Sequence, residues 1–317
     1  MQHPAPDLNA PNALKPPALA LLTLSSLLLT VPAQANTFAD LSVEAGSEHN
    51  VSRGFKSGDI YDDEYLHLEG GLGKFLQIRP GHSVVLSISG AAQRYFELSG
   101  LDSDSIAAQA AYTHKFGLGA YAPALTLALG LSEERREGRA RDRQLHDLTL
   151  GVSKRLSPAW SFYAAILHEW SEGTHDNAPA SPIVYPWSAR NISDDIYDFD
   201  QSGFFLSADY TFSNASMLTA SYSFTDGYTV SSGLVPNARL ANLSSAIAQD
   251  PAFGYVHGQY HAAYQLEADS HIYALDWSVV LGTDAALNFG YEYRDIHAVA
   301  STRYDGSKLG VTLSWAY

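Results

Sequence analysis

Leu309-Gly310-Val311-Thr312-Leu313-Ser314-Trp315-Ala316-Tyr317 decides the fold. Every odd-numbered residue is large and apolar, and every even-numbered one is small or polar. A strand places successive side chains on opposite faces, so this period of two marks a strand with one greasy and one hydrophilic side. A strand this regular needs a neighbour on each edge, which points to closure of the sheet onto itself.

The same alternation recurs along the chain in blocks of the length a tilted strand needs to cross a bilayer. The first block holds Ala39, Leu41, Val43 and Ala45, and the second runs from Tyr65 to Ile78. Others follow at Val84–Ile88, Ile106–Tyr112, Leu125–Leu131, Leu148–Val152, Trp160–Ile166, Phe204–Phe212, Leu218–Phe224, Tyr273–Leu281 and Leu287–Tyr293. With the terminal strand the count is twelve, an even number, as single-chain barrels have. Connections after even-numbered strands are short (79–82, 117–123, 157–159, 213–216, 283–285), and those after odd-numbered strands are long and polar (46–64, 97–104, 133–144, 171–202, 226–268, 296–307). A soluble sandwich has no reason to sort its loops by parity. The fold class expected is therefore all-β: a closed, antiparallel, up-and-down transmembrane β-barrel of about twelve strands, with short periplasmic turns and long extracellular loops. Residues 252–268 alternate weakly and are expected to lengthen the tenth strand.

The terminal strand, ending on an aromatic, resembles that of bacterial outer-membrane β-barrel proteins of the porin-like kind. The resemblance implies an outer-membrane location in a Gram-negative cell, surrounding lipid and lipopolysaccharide, and recognition of the last strand, Trp315 and Tyr317 with it, by the barrel-assembly machinery. It is architectural and does not select one family.

Other features agree with export. Ala18 to Val31 is an apolar stretch after Lys15, followed by Ala33-Gln34-Ala35. It is short and interrupted by Ser and Thr, so residues 1–35 read as a cleaved secretory signal and 36–317 as the barrel domain. There are 0 cysteines, hence no disulfide framework. A net charge of −15 opposes nucleic-acid phosphates, so no nucleic-acid partner is expected.

With the bulky apolar faces assigned to lipid, the opposite faces line the interior. The charged residues so placed are Glu69, Asp147, Arg155, Glu169, Asp209, Asp276, Glu292 and Arg294, among many Ser, Thr and Gln. Such groups are costly in a dry core and tolerable in a wet or hydrogen-bonded lumen. Acids outnumber bases, which favours cations; a closed network of acid–arginine pairs is the competing arrangement. Small interior residues (Gly130, Gly151, Ala165, Ala274, Gly290) leave room. In the connection 226–268, Leu240, Leu243, Ala246 and Ile247 stand near helical spacing within Ala238 to Gln249. That predicts a short helix that constricts the mouth or caps the loop. The run Glu133 to Arg143 carries five arginines and pairs either with lipopolysaccharide phosphates or with itself across a hairpin tip.

No nucleophile elbow, zinc-binding H-E-x-x-H, P-loop or dinucleotide motif occurs; no metal or cofactor is expected. The function expected is a porin-like channel for small polar or cationic solutes. Two alternatives remain open. One is a lipid-modifying enzyme using His168 or His271 with a nearby Ser, and the other is a non-conducting scaffold barrel that binds a partner through its loops.

Overall fold

The computed structural model describes residues 37–137, 141–173, 195–212, 215–235, 237–253, 255–256 and 259–317. The expected signal segment and parts of the long connections 133–144, 171–202 and 226–268 lie outside the described residues.

The strands are β1 Thr37–His49, β2 Asp63–Arg79, β3 His82–Tyr95, β4 Ser103–Lys115, β5 Ala124–Arg136, β6 Arg143–Arg155, β7 Trp160–Gly173, β8 Phe199–Thr211, β9 Ser216–Leu234, β10 Ala246–Gln249, β11 Tyr255–Val256, β12 Gln259–Leu281, β13 Ala285–Ala298 and β14 Thr302–Ala316; one helix, α1, covers Ala238–Leu243. β1 to β9 pair in sequence order, β9 pairs with β12, and β12, β13 and β14 lead back to β1. These twelve strands form a closed antiparallel up-and-down barrel. Asp40 to His49 of β1 lie opposite Ala316 to Ser307 of β14, so the quoted segment supplies the closing seam. Closure leaves the wall no open edge.

Alternation then fixes what each face meets. Leu127, Leu129 and Leu131 on β5 are 43%, 55% and 56% exposed, and Leu72, Ile88, Ile166, Leu275 and Val311 on other strands are exposed as well. An apolar band running around a whole molecule is not a water-facing surface; it matches a hydrocarbon layer, which only helices or closed barrels can span. At the loop end the band stops abruptly. One residue pair beyond it, successive strands carry His168, Ser202, Asp226, Asp269, His297 and Arg303 in one hydrogen-bonded row.

The long connections differ from expectation in one respect. Much of their length extends the strands beyond the apolar band: β9 has 19 residues and β12 has 23. The connection 299–301 is consequently a tight turn, with Ala300 and Ser301 at positive φ. Backbone groups above the membrane still need partners, and a continuing ladder supplies them. The expected helix is also shorter. It ends at Leu243, and Ala246–Gln249 pair with Gln265–Ala262 on the edge of β12 that β13 has left vacant. An available ladder outweighs a weak local helical spacing.

Candidate functional site

The interior divides into two zones. In the half nearer the short turns, the inward residues are small and polar: Ser87, Gln109, Thr149, Ser207, Ser221 and Asn288 are all partly exposed inside the wall. Among them stand carboxylates. Asp209 accepts from Ser161 Oγ at 2.8 Å and from Thr219 Oγ1 at 2.9 Å. Asp147 and Asp276 form no ion pair with any described Lys or Arg. Glycines make room for both: a Cβ on Gly130 would collide with the Asp147 carboxylate, and one on Gly290 would lie 2.8 Å from Asp276 Oδ1. Arg155 stands at the short-turn rim, exposed, donating to the carbonyls of Ser157 at 3.0 Å and Pro158 at 2.5 Å.

Nearer the loop end, charges are paired. Arg294 bridges Glu48 and Glu292, at 2.5 Å to each. Lys308 reaches Glu44 at 3.0 Å, and Glu44 also accepts the hydroxyl of the buried Tyr65. Across the lumen, Arg136 and Arg143 share the buried Glu134. Glu169 accepts from Gln201 at 2.8 Å, and Glu69 lies 3.7 Å from His67 Nε2. The run Glu133 to Arg143 is thus divided by strand alternation. Glu133 and Arg135 pair on the outer face, while Glu134, Arg136 and Arg143 turn inward.

Above this zone the mouth is closed by chain folded across it. The projecting parts of β9 and β12 are buried on both faces. On the inward face, Tyr264 and Leu266 pack with Leu240 and Ile247 from 238–249 and with Ile296 and Tyr304 from the inner wall of β13 and β14. On the other face, Ala263 and Val230 pack with Ile196 and Tyr197 from the connection after β7. The segment then reaches the far side of the barrel, where Ala252 and Phe253 pack on Leu101 between β3 and β4. Removing these apolar side chains from water supplies the closing force, at about 25 cal/mol per Å².

Polar contacts fix the register of the closure. Asp59 Oδ1 accepts from Leu234 N at 3.0 Å, Ser52 O from Ser232 N at 2.8 Å, and Tyr61 Oη lies 3.0 Å from His261 Nε2. Arg141, between β5 and β6, binds Asp250 through two nitrogens at 2.7 and 3.2 Å, donates to Ser232 Oγ at 2.6 Å and stacks over Phe253 at 5.5 Å. Both ions are buried. Burial alone would raise the Asp250 carboxyl, but the Arg141 charge and the hydrogen bonds from Arg141 and Ser232 outweigh it and hold it below the usual carboxylate range. The sequence placed Arg141 in a run expected to meet lipopolysaccharide phosphates or to pair with itself across a hairpin tip; its partner is instead Asp250, which with Ser232 was not singled out. The signal available was a pair of charges flanking aromatic and small residues in loops long enough to meet.

His168 Nδ1 lies 2.7 Å from Ser202 Oγ on the outer wall, with Trp170 edge-on to the imidazole at 4.2 Å. His271 Nδ1 instead meets Tyr222 Oη at 2.9 Å. A serine nucleophile needs a base that is itself oriented by a third group. Among the described residues no carboxylate forms an ion pair with His168.

No protein-family model matches the chain, and no curated protein matches it. An outer-membrane channel of Pseudomonas putida F1 superposes with a TM-score of 0.53 at 11% identity, covering 89% of this chain and 96% of that one. The NanC porin gives 0.43 at 10% identity, over 87% and 98%. The translocator domain of the autotransporter NalP from Neisseria meningitidis gives 0.43 at 11%, over 92% and 92%. At such identities the likeness is one of fold, and the first superposition carries it. The fold is that of the outer-membrane β-barrels.

Proposed function

We propose that this chain is an outer-membrane channel for small polar solutes, preferring cations, with its outer mouth closed by 237–253 in the conformation described. One observation carries the reading. Asp147 and Asp276 sit in the wetter half of the lumen without a basic partner among the described residues, while the interior bases Arg136, Arg143, Arg294 and Lys308 are each held by a carboxylate. The paired zone contributes little net field, and the remaining acidic field attracts cations. In this reading residues 1–35 direct export, and the last strand with Trp315 and Tyr317 is what the barrel-assembly machinery engages. Lipid surrounds the apolar band, and lipopolysaccharide lies at its outer edge, where Arg135 is paired with Glu133.

Planar-bilayer recording tests it, using the protein with 238–253 replaced by a short Gly-Ser linker. Discrete steps with a reversal potential favouring K⁺ over Cl⁻ are expected. At about 8 Å through water a unit charge acts with about 0.5 kcal/mol. Each lost charge acts on K⁺ and Cl⁻ with opposite sign, so Asp147→Asn combined with Asp276→Asn should lower the K⁺/Cl⁻ permeability ratio by about 2 kcal/mol, about thirtyfold at low salt. A linker variant that is silent or anion-selective rules the reading out.

A further inference from the structure

Two aromatic stations stand in the half of the lumen nearer the short turns. Tyr163 of β7 reaches across β6, where a Cβ on Gly151 would collide with its ring. Phe205 of β8 lies beside it, with ring centroids 6.0 Å apart and planes inclined at 54°. Both residues are partly exposed inside the wall. Tyr163 pairs with Ser207, and Asp209 is the next inward residue of β8, so its carboxylate is a diagonal neighbour of the ring. Arg155 shares the row of Asp209, but its guanidinium is turned to the carbonyls of Ser157 and Pro158 at the rim.

The second station repeats the arrangement. Phe38 of β1 reaches across β2, where a Cβ on Gly73 would collide with its ring. Asp40, the next inward residue, lies against Gly71, with Oδ1 2.8 Å from the place of a Cβ there. Asp40 also feels the charge of Glu69. Neither carboxylate has a described Lys or Arg within ion-pair distance. β7 and β8 follow β1 and β2 by six places in a ring of twelve strands, so the two stations face each other across the lumen.

The glycine seats let both rings rest along the wall instead of across the opening. The side of each ring turned from the wall is apolar surface in a lumen lined with Ser, Thr and Gln, and water is a poor cover for it. A cation over such a ring is attracted by the negative face of its π-system, and the carboxylate beside it adds to that field. A hydrated inorganic ion uses the carboxylates alone, and a neutral sugar uses the rings alone. An ammonium ion carrying carbon substituents uses both.

We infer that the solutes this lumen selects are organic ammonium ions, seated at Tyr163, Phe205 and Asp209 on one wall and at Phe38, Asp40 and Glu69 on the other. This class of solute rests on the cation-preferring reading and narrows it. The closing segment lies at the other end of the lumen, so binding is read on the full-length protein and without conduction.

The full-length barrel in a maltoside detergent is titrated by calorimetry with choline, and separately with the uncharged isostere in which carbon replaces the choline nitrogen. Choline should bind at least about tenfold more tightly than the isostere. Tyr163→Leu and Phe38→Leu should each weaken choline about fivefold, whereas Tyr163→Phe, which keeps the ring on Gly151, should retain it. Asp40→Asn combined with Asp209→Asn removes no ring and should also weaken choline, which covers the case of a leucine variant that does not fold. Equal binding of the two probes, or a choline affinity unchanged by the paired Asn substitutions, overturns the inference. That result together with K⁺-selective steps in the linker variant leaves the channel standing for inorganic ions. Silence or anion selectivity of the linker variant is a separate failure, of the channel reading itself.

Discussion

Asp250→Ala is expected to release the outer mouth while leaving the barrel standing. The change strips the counterion from Arg141, a guanidinium only 6% exposed, and takes an acceptor from Ser232. Breaking a buried pair from one side costs about 3–5 kcal/mol, because the remaining charge stays desolvated. That penalty falls on the closing segment. The ladder from β1 through β9 to β12, β13 and β14 contains neither Arg141 nor Asp250, and Ser232 keeps its backbone pairing with Ala263. Limited proteolysis should cut within 237–253 of the variant and spare the wild-type segment, and single-channel steps should become frequent. Replacing both partners by apolar residues, Asp250→Leu with Arg141→Met, should restore protection, since no charge is then left buried. Equal protease resistance in wild type and Asp250→Ala would show that the ion pair does not fasten the mouth.

The sign of the pH dependence follows from the same pair. The Asp250 carboxyl is held lower in the folded protein than in the unfolded chain. Its contribution to closure is therefore complete above the ordinary carboxylate pKa and is lost as pH falls through the depressed value. Acid, not base, should loosen the wild-type mouth, and Asp250→Leu with Arg141→Met should lose that response.

Leu129→Arg carries the second large effect. Leu129 lies mid-strand on the outer face of β5, 55% exposed, with Ala110 of β4 as its outward neighbour. A guanidinium there faces hydrocarbon, at a cost of about 2–4 kcal/mol near the bilayer midplane. Gln109→Arg is the matched control. It lies at the same height, one residue along and opposite Gly130, with its side chain in the lumen. There water and the nearby Asp147 can accept the charge, and little loss is expected. Equilibrium folding into lipid vesicles measures both. If the two substitutions cost the same, or Gln109→Arg costs more, the assignment of faces is wrong.

The particular residues show which parts of this were legible in advance. Leu125–Leu131 and Leu309–Tyr317 declare their faces by alternation alone, because a strand offers its side chains only two directions. From those faces the inward position of Asp147, Glu169, Asp209 and Asp276 follows by counting. The partners of Glu292 and Arg294 do not. Arg294 meets Glu48 only because β1 and β13 flank β14 after closure, across a sequence separation of 246 residues. The helix over 238–249 was half legible. Local spacing suggested it, but the free edge of β12 claimed Ala246–Gln249 for a strand.

The amino-acid order by itself determined a cylinder: twelve alternating strands, greasy outward and hydrophilic inward, with long connections gathered at one end. Periodicity is a local property, and a period of two needs no knowledge of distant residues. The state of the mouth was decided by tertiary structure alone. Arg141, Asp250 and Ser232 acquire meaning only when loops from separate hairpins converge over one opening. Contacts of that kind have no period, and they depend on which ends of the wall closure brings face to face.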